Sequence, residues 1–234
     1  DVDGWMTEGQ AKQLWNGAKG LDDGSTVVEI GSYRGRSASI LGLAASEGVE
    51  VVAIDPHAGN DRGPQQIEGS PDEGQEDNDL FNANLEAVGV RERVRHVRKP
   101  SSDALGDVDG DVELLYIDGA HRYAPARDDI RDWGARVADG GTMLIHDSFS
   151  SVGVTLAIMR LLFAGHDFRY LGRSSSMAIY RRERVAGGTR VRNLLRQAVE
   201  LPWFLRNVII KVLIVARLGS LTRLLGHRQA TWPY

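Results

Sequence analysis

Two short segments of the chain contain the side chains best suited to chemistry. The first has Asp118 and, three residues later, His121; the second has Asp147. If these segments end neighbouring strands of one sheet, two carboxylates and a histidine meet in one cleft and are suitable ligands for a divalent cation. A hydroxyl bound to such an ion is more acidic, and a nearby histidine can take its proton. The pattern predicts Asp118 and Asp147 as metal ligands and His121 as a general base, although His121 can alternatively cap or orient a following helix.

A glycine turn follows the first buried apolar run of the chain and leads into a helical pattern. The run ends with Glu29, and the turn contains Gly31 and Gly35. Glycines at such a turn let backbone N–H groups approach a ligand closely, and the N-terminus of the next helix favours negative charge. The fingerprint Gly-x-Gly-x-x-Gly of dinucleotide-binding proteins is absent. The turn therefore predicts a nucleotide-like ligand, with a purely structural turn as the alternative.

A further acidic residue, Asp55, closes the second apolar run and precedes Pro56. A carboxylate at the end of a parallel strand can accept hydrogen bonds from both hydroxyls of a ribose. The alternative interpretation of Asp55 is a helix cap or a turn former. In either role it lies at the ligand-binding edge of the predicted sheet.

Alternating apolar and amphipathic segments predict the fold that holds these residues. Strands are expected at residues 26–30, 50–54, 93–97, 112–117, 142–145, 168–171 and 176–181, and helices at 79–88, 124–137 and 152–163. Strands separated by helices indicate an α/β protein with a doubly wound, mostly parallel sheet. Ligands of such sheets bind at the carboxyl ends of the strands, where the acidic residues described above fall.

Three motifs, in their order and spacing, resemble one protein family. Glu-Ile-Gly-Ser-x-x-Gly-Arg-Ser begins at Glu29, Tyr-Ile-Asp-Gly-Ala-His-x-Tyr at Tyr116, and Gly-Gly-x-x-x-x-His-Asp at Gly140. They resemble class I S-adenosylmethionine (SAM) methyltransferases and, within that class, the metal-dependent bacterial sugar O-methyltransferases of the mycinamicin and macrocin type. The match covers roughly residues 6–180. It implies a Rossmann-like, seven-stranded methyltransferase fold, SAM as the methyl donor, and Mg²⁺ or another divalent cation.

The resemblance also implies roles for the matching residues. In the family the glycine turn packs against the methionine part of SAM, and the Asp-x-x-His element, here Asp118 and His121, supplies a metal ligand and a base. An acidic pair after the fifth strand supplies two more ligands; this chain has His146 in place of the first carboxylate, followed by Asp147. The residues implied in SAM binding are Glu29, Gly31, Ser32, Tyr33, Gly35, Ser37, Asp55, Ser101 and Ser102.

Two of these implied roles leave an alternative open. Ser101 and Ser102 lie where the family contacts adenine, but together with Asp103 they suit a helix N-cap equally well. His146 can ligate the metal or can instead face a neighbouring helix.

Residues 58–79 form a polar, acidic segment with several glycines and prolines. The segment is too long and too poor in apolar residues for an ordinary connection. Because it follows the second strand at the ligand edge, we expect a lid over the active site, in which Gln65, Gln66 and Glu68 can bond a polyhydroxyl acceptor. An insertion without that role is the alternative.

The composition limits the class of protein. A chain of 234 residues, with 42% hydrophobic and 26% charged residues, suits one α/β domain with an appendage. A net charge of −4 provides no general basic field for nucleic acid. The absence of cysteine excludes disulfides, thiolate metal sites and a cysteine nucleophile. No secretory signal pattern is visible in the first ten residues, so a cytoplasmic location is expected.

The C-terminal segment, residues 184–234, differs from the methyltransferase domain expected over residues 1–183. From residue 187 onward, eight Arg and Lys residues stand against one acidic residue, Glu200. Arg206, Arg217 and Arg228 recur every eleven residues, which predicts a basic stripe along a helix. The apolar residues 208–216 are too few to span a bilayer. We expect helices that pack on the domain or on a second copy, and contact with a membrane surface is the alternative.

The complete sequence predicts a SAM-dependent O-methyltransferase that acts on a saccharide hydroxyl, for example a mannoside or a deoxysugar of an actinobacterial product. One alternative is a catechol-type methyltransferase, which would use the same metal chemistry on a planar phenol. The other is a non-catalytic nucleotide-binding module held to a membrane by its basic tail.

Overall fold

The computed structural model describes residues 2–60 and 68–228 of the chain. Seven strands form one sheet: β1 (Thr26–Ile30), β2 (Glu50–Ile54), β3 (Val94–Val97), β4 (Val112–Ile117), β5 (Val137–Ile145), β6 (Phe168–Ser174) and β7 (Met177–Arg182). Their order across the sheet is β3-β2-β1-β4-β5-β7-β6. All pairs among β1 to β5 are parallel, whereas β7 runs antiparallel to both of its neighbours. The predicted doubly wound, mostly parallel sheet is confirmed, and β6 and β7 form an antiparallel hairpin at one edge.

Helices cover both faces of this sheet and continue beyond its last strand. They are α1 (Glu8–Lys19), α2 (Arg36–Ala44), α3 (Pro71–Val88), α4 (Tyr123–Asp132), α5 (Val152–Leu161), α6 (Gly187–Ala198) and α7 (Leu201–Val215). Short 3₁₀ helices lie at Arg91–Arg93, Ser101–Asp103, Leu105–Asp107, Gly134–Arg136 and Gly219–Leu225. None of the helices within the described residues is long and apolar enough to cross a membrane.

The central strands are buried on both faces. Every residue of β1 is buried, and its successive residues Val27 and Val28 belong to two different apolar clusters. Because side chains alternate along a strand, these clusters lie on opposite sides of the sheet. A parallel sheet covered in this way reads in sequence as a continuous apolar run, which is why β1 could be predicted from its composition.

The segment expected to be a lid is partly helical. The α3 helix begins at Pro71, so residues 71–79 are its first half and the predicted helix start at residue 79 is wrong. Proline suits the first helical position, and Asp72 and Glu73 suit the positive end of the helix dipole. The polar character that suggested a loop is thus an acidic helix start. Residues 61–67, with Gln65 and Gln66, lie outside the described residues.

The described ends of that loop pack closely against each other. A Cβ added to Gly59 would lie 2.2 Å from the carbonyl oxygen of Ser70, and one added to Gly74 would lie 2.1 Å from that of His57. Both glycines therefore allow a backbone approach that a side chain would prevent. The segment that follows β2 and the start of α3 are therefore in close backbone contact.

The fifth strand is longer and the preceding helix shorter than predicted. The α4 helix ends at Asp132 rather than at residue 137, and β5 begins at Val137 rather than at residue 142. Asp139-Gly140-Gly141 suggested a turn, but Gly140, with φ +78°, lies inside the strand, where its register against β4 shifts. The glycines form an irregularity within the strand rather than its start.

The helical C-terminal extension packs on the edge of the sheet through buried polar side chains. Asn193 of α6 accepts a hydrogen bond from the Tyr170 amide at 2.7 Å and donates one to the Phe168 carbonyl at 3.0 Å. These groups belong to β6, the edge strand, whose unpaired backbone would otherwise need water. The predicted basic stripe is wrong, because α7 ends at Val215 and Arg217 follows it with a left-handed φ of +59°.

We expect Asn193→Ala to lower the free energy of unfolding by about 1–3 kcal/mol, since a buried amide and a buried carbonyl of β6 lose their partner. Urea denaturation followed by circular dichroism measures this change. Arg192→Ala, an exposed neighbour, is the control and should stay within about 0.5 kcal/mol of the original chain. Equal values for the two variants would contradict the role given to Asn193.

Candidate active site

A large cleft of about 1450 Å³ opens at the carboxyl ends of the parallel strands. Single ligands of drug size occupy pockets of about 300–1,000 Å³. The cleft therefore has room for two ligands side by side. The residues predicted to do chemistry border it, and so do residues 3–6 near the N-terminus and residues of α7.

Backbone hydrogen bonds fix the positions of three candidate residues at the ends of their strands. The Asp118 amide donates to the last carbonyl of β1 at 2.8 Å, and the His146 amide donates to the last carbonyl of β4 at 2.9 Å. The Asp55 amide donates to the last carbonyl of β3 at 3.2 Å. Each residue directly follows its strand while its amide is still paired with the neighbouring strand. Their side chains therefore project from one rigid edge.

The glycine turn lies against the segment that follows β4. Gly31 has a φ of +86°, and a Cβ added there would lie 2.3 Å from the carbonyl oxygen of Asp118. Gly35, with φ +82°, directly precedes α2. Ser32, Tyr33 and the buried Ser37 border the cleft beside the turn. The predicted turn residues are thus gathered next to the predicted metal ligands.

Asp55 holds the glycine turn in shape. Its Oδ2 accepts hydrogen bonds from the amides of Ser32 and Tyr33, both at 2.9 Å, and its Oδ1 accepts one from the His57 amide at 2.7 Å. The turn-forming interpretation of Asp55 is therefore correct. Its carboxylate also borders the cleft, where a ligand hydroxyl can reach it.

Glu29 is fully buried behind the turn. Neither of its carboxylate oxygens has a well-formed hydrogen bond to any of the described residues. Burial raises the pKa of Glu29 to about 8, although the nearby hydroxyls of Ser37 and Ser32 lower it in part. A buried acid of this kind is protonated at neutral pH unless a cation comes close to it.

Four side chains form a compact cluster on the other side of the turn. The Nδ1 of His146 lies 3.1 Å from the Oδ1 of Asp118, and the Nε2 of His121 lies 3.2 Å from the Oδ2 of Asp147. Ligand atoms of Asp118, His121 and His146 all lie within 4.8 Å of one another. His146 faces this cluster, so the alternative in which it faces a neighbouring helix is wrong.

Several atoms of this cluster lack hydrogen-bond partners. Both ring nitrogens of His146, the Nε2 of His121 and the Oδ1 of Asp147 are buried and make no well-formed hydrogen bond within the described part of the chain. Orphaned donor atoms that meet at one place suit a divalent cation. Imidazole nitrogens favour Mn²⁺, Fe²⁺, Co²⁺, Ni²⁺ or Zn²⁺, whereas Mg²⁺ prefers oxygen ligands. The donor set fits a divalent ion and fits Mg²⁺ less well than these.

Charge within the cluster is balanced between imidazoles and carboxylates. Burial alone would raise the pKa of Asp118, but the imidazoles of His146 and His121 outweigh it and hold that pKa well below its usual range. Burial likewise lowers the pKa of His146, but the neighbouring Asp118 and Asp147 raise it to about 9. Without a metal ion the histidines supply the positive charge that the carboxylates need.

Tyr116 is a positioning residue that the sequence did not reveal. Its hydroxyl donates a 2.8 Å hydrogen bond to the Oδ2 of Asp118, which leaves Oδ1 to face the two histidines. The side chain is fully buried, and burial raises its pKa well above the usual value. Neutral Tyr116 therefore orients the carboxylate from behind, as partners of metal ligands commonly do.

A second unpredicted residue, Asp129 of α4, borders the cleft beside Ser101. The Ser101 hydroxyl donates to its Oδ1 at 2.5 Å, and burial raises the pKa of Asp129 to about 6. Ser101 begins a 3₁₀ helix that Pro100 precedes at the cap position, so Ser101 is not the helix cap. Asp129 follows Asp128 on a strongly charged helix, and this pattern resembles an ordinary solvated face.

Two other walls of the cleft come from distant parts of the chain. Near the N-terminus, the Gly4 carbonyl accepts a 2.6 Å hydrogen bond from Arg36, and the Trp5 ring lies 5.5 Å from the ring of Tyr33. On the opposite side, Lys211 of α7 donates to the Ser150 carbonyl at 2.9 Å. No sequence motif marked either wall, because each borders the cleft only through tertiary packing.

Comparison with known proteins agrees with this architecture. Residues 28–148, just over half of the chain, match a family described as a methyltransferase domain. Cofactor-bound Rv0187 from MTB superposes with a TM-score of 0.56 at 19% identity, over 79% of this chain and 85% of its own. An O-methyltransferase from Bacillus cereus in complex with S-adenosylhomocysteine (SAH) gives 0.57 at 17% identity, over 76% and 83%. The calicheamicin methyltransferase CalS11 gives 0.53 at 16% identity, over 73% and 76%. At these identities the structures share the fold.

We expect Gly31→Ala to lower the free energy of unfolding by at least about 2 kcal/mol, because the new Cβ meets the Asp118 carbonyl and the residue keeps a positive φ. Gly106→Ala is the matched control, since a Cβ at Gly106 meets nothing within 4 Å. Urea denaturation of both variants measures the difference. A Gly31→Ala variant as stable as the Gly106→Ala variant would show that the turn and the Asp118 segment can separate freely.

Proposed function

The chain belongs to the methyltransferase domain family, and we propose that it is a SAM-dependent O-methyltransferase that methylates a saccharide hydroxyl. The main support is the cluster of Asp118, His121, His146 and Asp147 beside the glycine turn, in a cleft large enough for donor and acceptor. In this proposal residues 1–183 form the catalytic domain, and residues 184–234 form the extension.

The donor side of the cleft has the polarity that SAM requires. Glu29 offers a buried carboxylate to the cationic methionine end, and Asp55 borders the cleft at the ribose position. Ser101 and Asp129 offer oxygen atoms to an exocyclic amino group such as that of adenine. The residues proposed to bind SAM are Glu29, Gly31, Ser32, Tyr33, Gly35, Ser37, Asp55, Ser101 and Ser102, with Asp129 added from the geometry.

The acceptor side of the cleft has a proposed metal site and a proposed base. Asp118, His146 and Asp147 would hold the divalent cation, and Tyr116 keeps Asp118 oriented toward it. A bound cation lowers the pKa of an acceptor hydroxyl and fixes its position. His121 then takes the hydroxyl proton at Nε2, the atom that lies 3.2 Å from Asp147. The Asp147 carboxylate stabilises the resulting imidazolium.

The methyl group comes from SAM, whose sulfur keeps the bonding electron pair while the acceptor oxygen forms the new bond. The protein contributes mainly by holding the acceptor oxygen in line and removing its proton. A saccharide acceptor is supported by a structural neighbour, because CalS11 is described as a TDP-rhamnose 3'-O-methyltransferase. The loop after β2 borders the same cleft through Ala58, Gly59 and Asn60, so it remains the proposed lid.

Methyl transfer from labelled SAM to a panel of saccharides and catechols, before and after metal removal by a chelator, tests the function. We expect transfer to a saccharide, loss of turnover after chelation, and better recovery with Mn²⁺ or Co²⁺ than with Mg²⁺. His121→Ala should lower kcat by about 10²–10⁴-fold with little change in SAM binding. The exposed, distant His166→Ala is its control. Full turnover by His121→Ala would exclude His121 as the base, and turnover that survives chelation would exclude the metal.

SAM binding should depend on pH through Glu29. Because the pKa of Glu29 is about 8 in the free protein, the carboxyl must lose its proton to face a cationic ligand. Affinity should therefore rise with pH, by up to about tenfold per unit, and level off near pH 8. Calorimetry in buffers of different ionisation enthalpy should detect release of close to one proton at neutral pH.

Glu29→Gln should bind SAM more weakly and without this proton release. Glu47→Gln, which changes an exposed carboxylate away from the cleft, should behave like the original chain. Identical proton release by Glu29→Gln and the original chain would assign the pH dependence to another group.

A further inference from the structure

The α7 helix is apolar on two faces, and the described residues cover only one of them. Asn207 and Ile210 are buried against the domain. Leu205, Ile209 and Val212, which are 59%, 41% and 60% exposed, follow one another at helical spacing on the other side. Val215, the last residue of the helix, is 64% exposed. We call these four exposed residues the apolar rim. A helix that keeps such a rim in water has a partner surface to cover it.

The apolar rim continues into the active-site cleft. Val212 and Val215 belong both to the rim and to the cleft wall. The helix is also tied to the loop that carries Asp147, since Asn207 donates to the Phe149 carbonyl at 3.3 Å and Lys211 donates to the Ser150 carbonyl at 2.9 Å. A surface that covers the rim therefore lies at the entrance of the cleft, in a fixed relation to the metal cluster.

The charge around the rim shows what kind of surface fits. Between residues 187 and 228 there are eight basic residues and one acidic residue, whereas the remainder of the chain has 20 basic and 31 acidic residues. The exposed arginines of this segment are Arg192, Arg196, Arg217, Arg223 and Arg228. A symmetric dimer through the rim would bring two such basic segments together. Anionic lipid headgroups attract them instead.

The dimensions of α7 favour a position along a membrane surface. Fifteen residues of α-helix are about 22 Å long, and the hydrocarbon core of a bilayer is about 30 Å thick. A helix of this length suits the interface rather than a path across the bilayer, and in the interface its aliphatic residues would face the acyl chains and the arginines the headgroups.

We propose that the apolar rim docks on an anionic lipid bilayer and that the acceptor is a saccharide attached to a lipid of that bilayer. Docking brings the mouth of the cleft to the membrane surface, so that the sugar enters between α7 and the metal cluster while its lipid stays in the bilayer. The acceptor part of this inference rests on the proposed methyl transfer. The docking part stands on the rim and its charge alone.

Flotation of the full chain with vesicles tests the docking. We expect binding to vesicles of equal parts phosphatidylcholine and phosphatidylglycerol, little binding to phosphatidylcholine alone, and weaker binding at high salt. The double variant Leu205→Gln/Ile209→Gln should lose at least about tenfold in vesicle affinity. Leu43→Gln/Leu171→Gln, which removes two equally exposed leucines on α2 and β6, is the matched control and should bind as before. Unchanged unfolding curves for both variants confirm that they fold.

A second assay compares a saccharide joined to a long-chain lipid in these vesicles with the same saccharide free in solution. We expect a lower KM for the lipid-linked form, and we expect Leu205→Gln/Ile209→Gln to remove that advantage while kcat on the free saccharide stays unchanged. Methylation of lipid-linked and free saccharide with equal KM would overturn the acceptor part.

Absence of vesicle binding, or a double variant that changes a dimer into a monomer in light scattering without affecting vesicle binding, would overturn the docking. Vesicle binding by a chain that methylates neither saccharide would support the docking and overturn the proposed function.

Discussion

The cleft depends on the close approach of two backbone segments, the turn after β1 and the residues after β4. The strand order reverses between these neighbours, so that successive helices lie on opposite sides and leave a crevice at the carboxyl edge. Within that crevice the Asp118 carbonyl occupies the space that a side chain at Gly31 would fill. The same Asp118 carries one of the two carboxylates of the cluster, so the turn proposed to bind the donor and the group proposed to activate the acceptor meet at a single residue. A change at either segment would therefore affect both proposed roles.

Several loop residues near the cleft have an unfavourable backbone conformation. Tyr33, His57, Asp147 and Phe149 all adopt a positive φ without being glycine, and each lies in a loop that follows β1, β2 or β5 at the ligand edge. Such conformations cost of order 1–3 kcal/mol each and persist only where the surroundings hold them. Here the surroundings are the hydrogen bond that the Tyr33 amide donates to Asp55, the one between the Tyr33 carbonyl and the His57 ring, and those along the turn after Asp147. These hydrogen bonds outweigh the preference of each residue for a negative φ, so the loops hold their conformation without a ligand.

The sheet, and the candidate site residues that share one motif, could be predicted from the sequence. The β1 strand, the glycine turn and the Asp118–His121 pair could be predicted because local spacing and the parallel topology together determine where they lie. Asp129 and Lys211 could not be predicted, since only tertiary packing brings α4 and α7 to the cleft. The polarity of residues 71–79 suggested a loop, although Pro71 and the acids that follow it are a favourable helix start. The eleven-residue spacing of the arginines wrongly predicted a stripe that includes Arg217, because the spacing does not show that α7 ends at Val215.

The exposure of His121 has a consequence for turnover. Its backbone is fixed, because its carbonyl accepts a hydrogen bond from Ser151 and lies where a Cβ of Gly153 would be. Its side chain nevertheless remains 40% exposed, while that of His146 is almost completely enclosed. In its proposed role His121 collects one proton in each catalytic cycle, and that proton must leave before the next acceptor arrives. The Nε2 that receives it is itself buried, so the proton leaves by way of the cleft, once the methylated product has gone and water has entered beside the exposed ring.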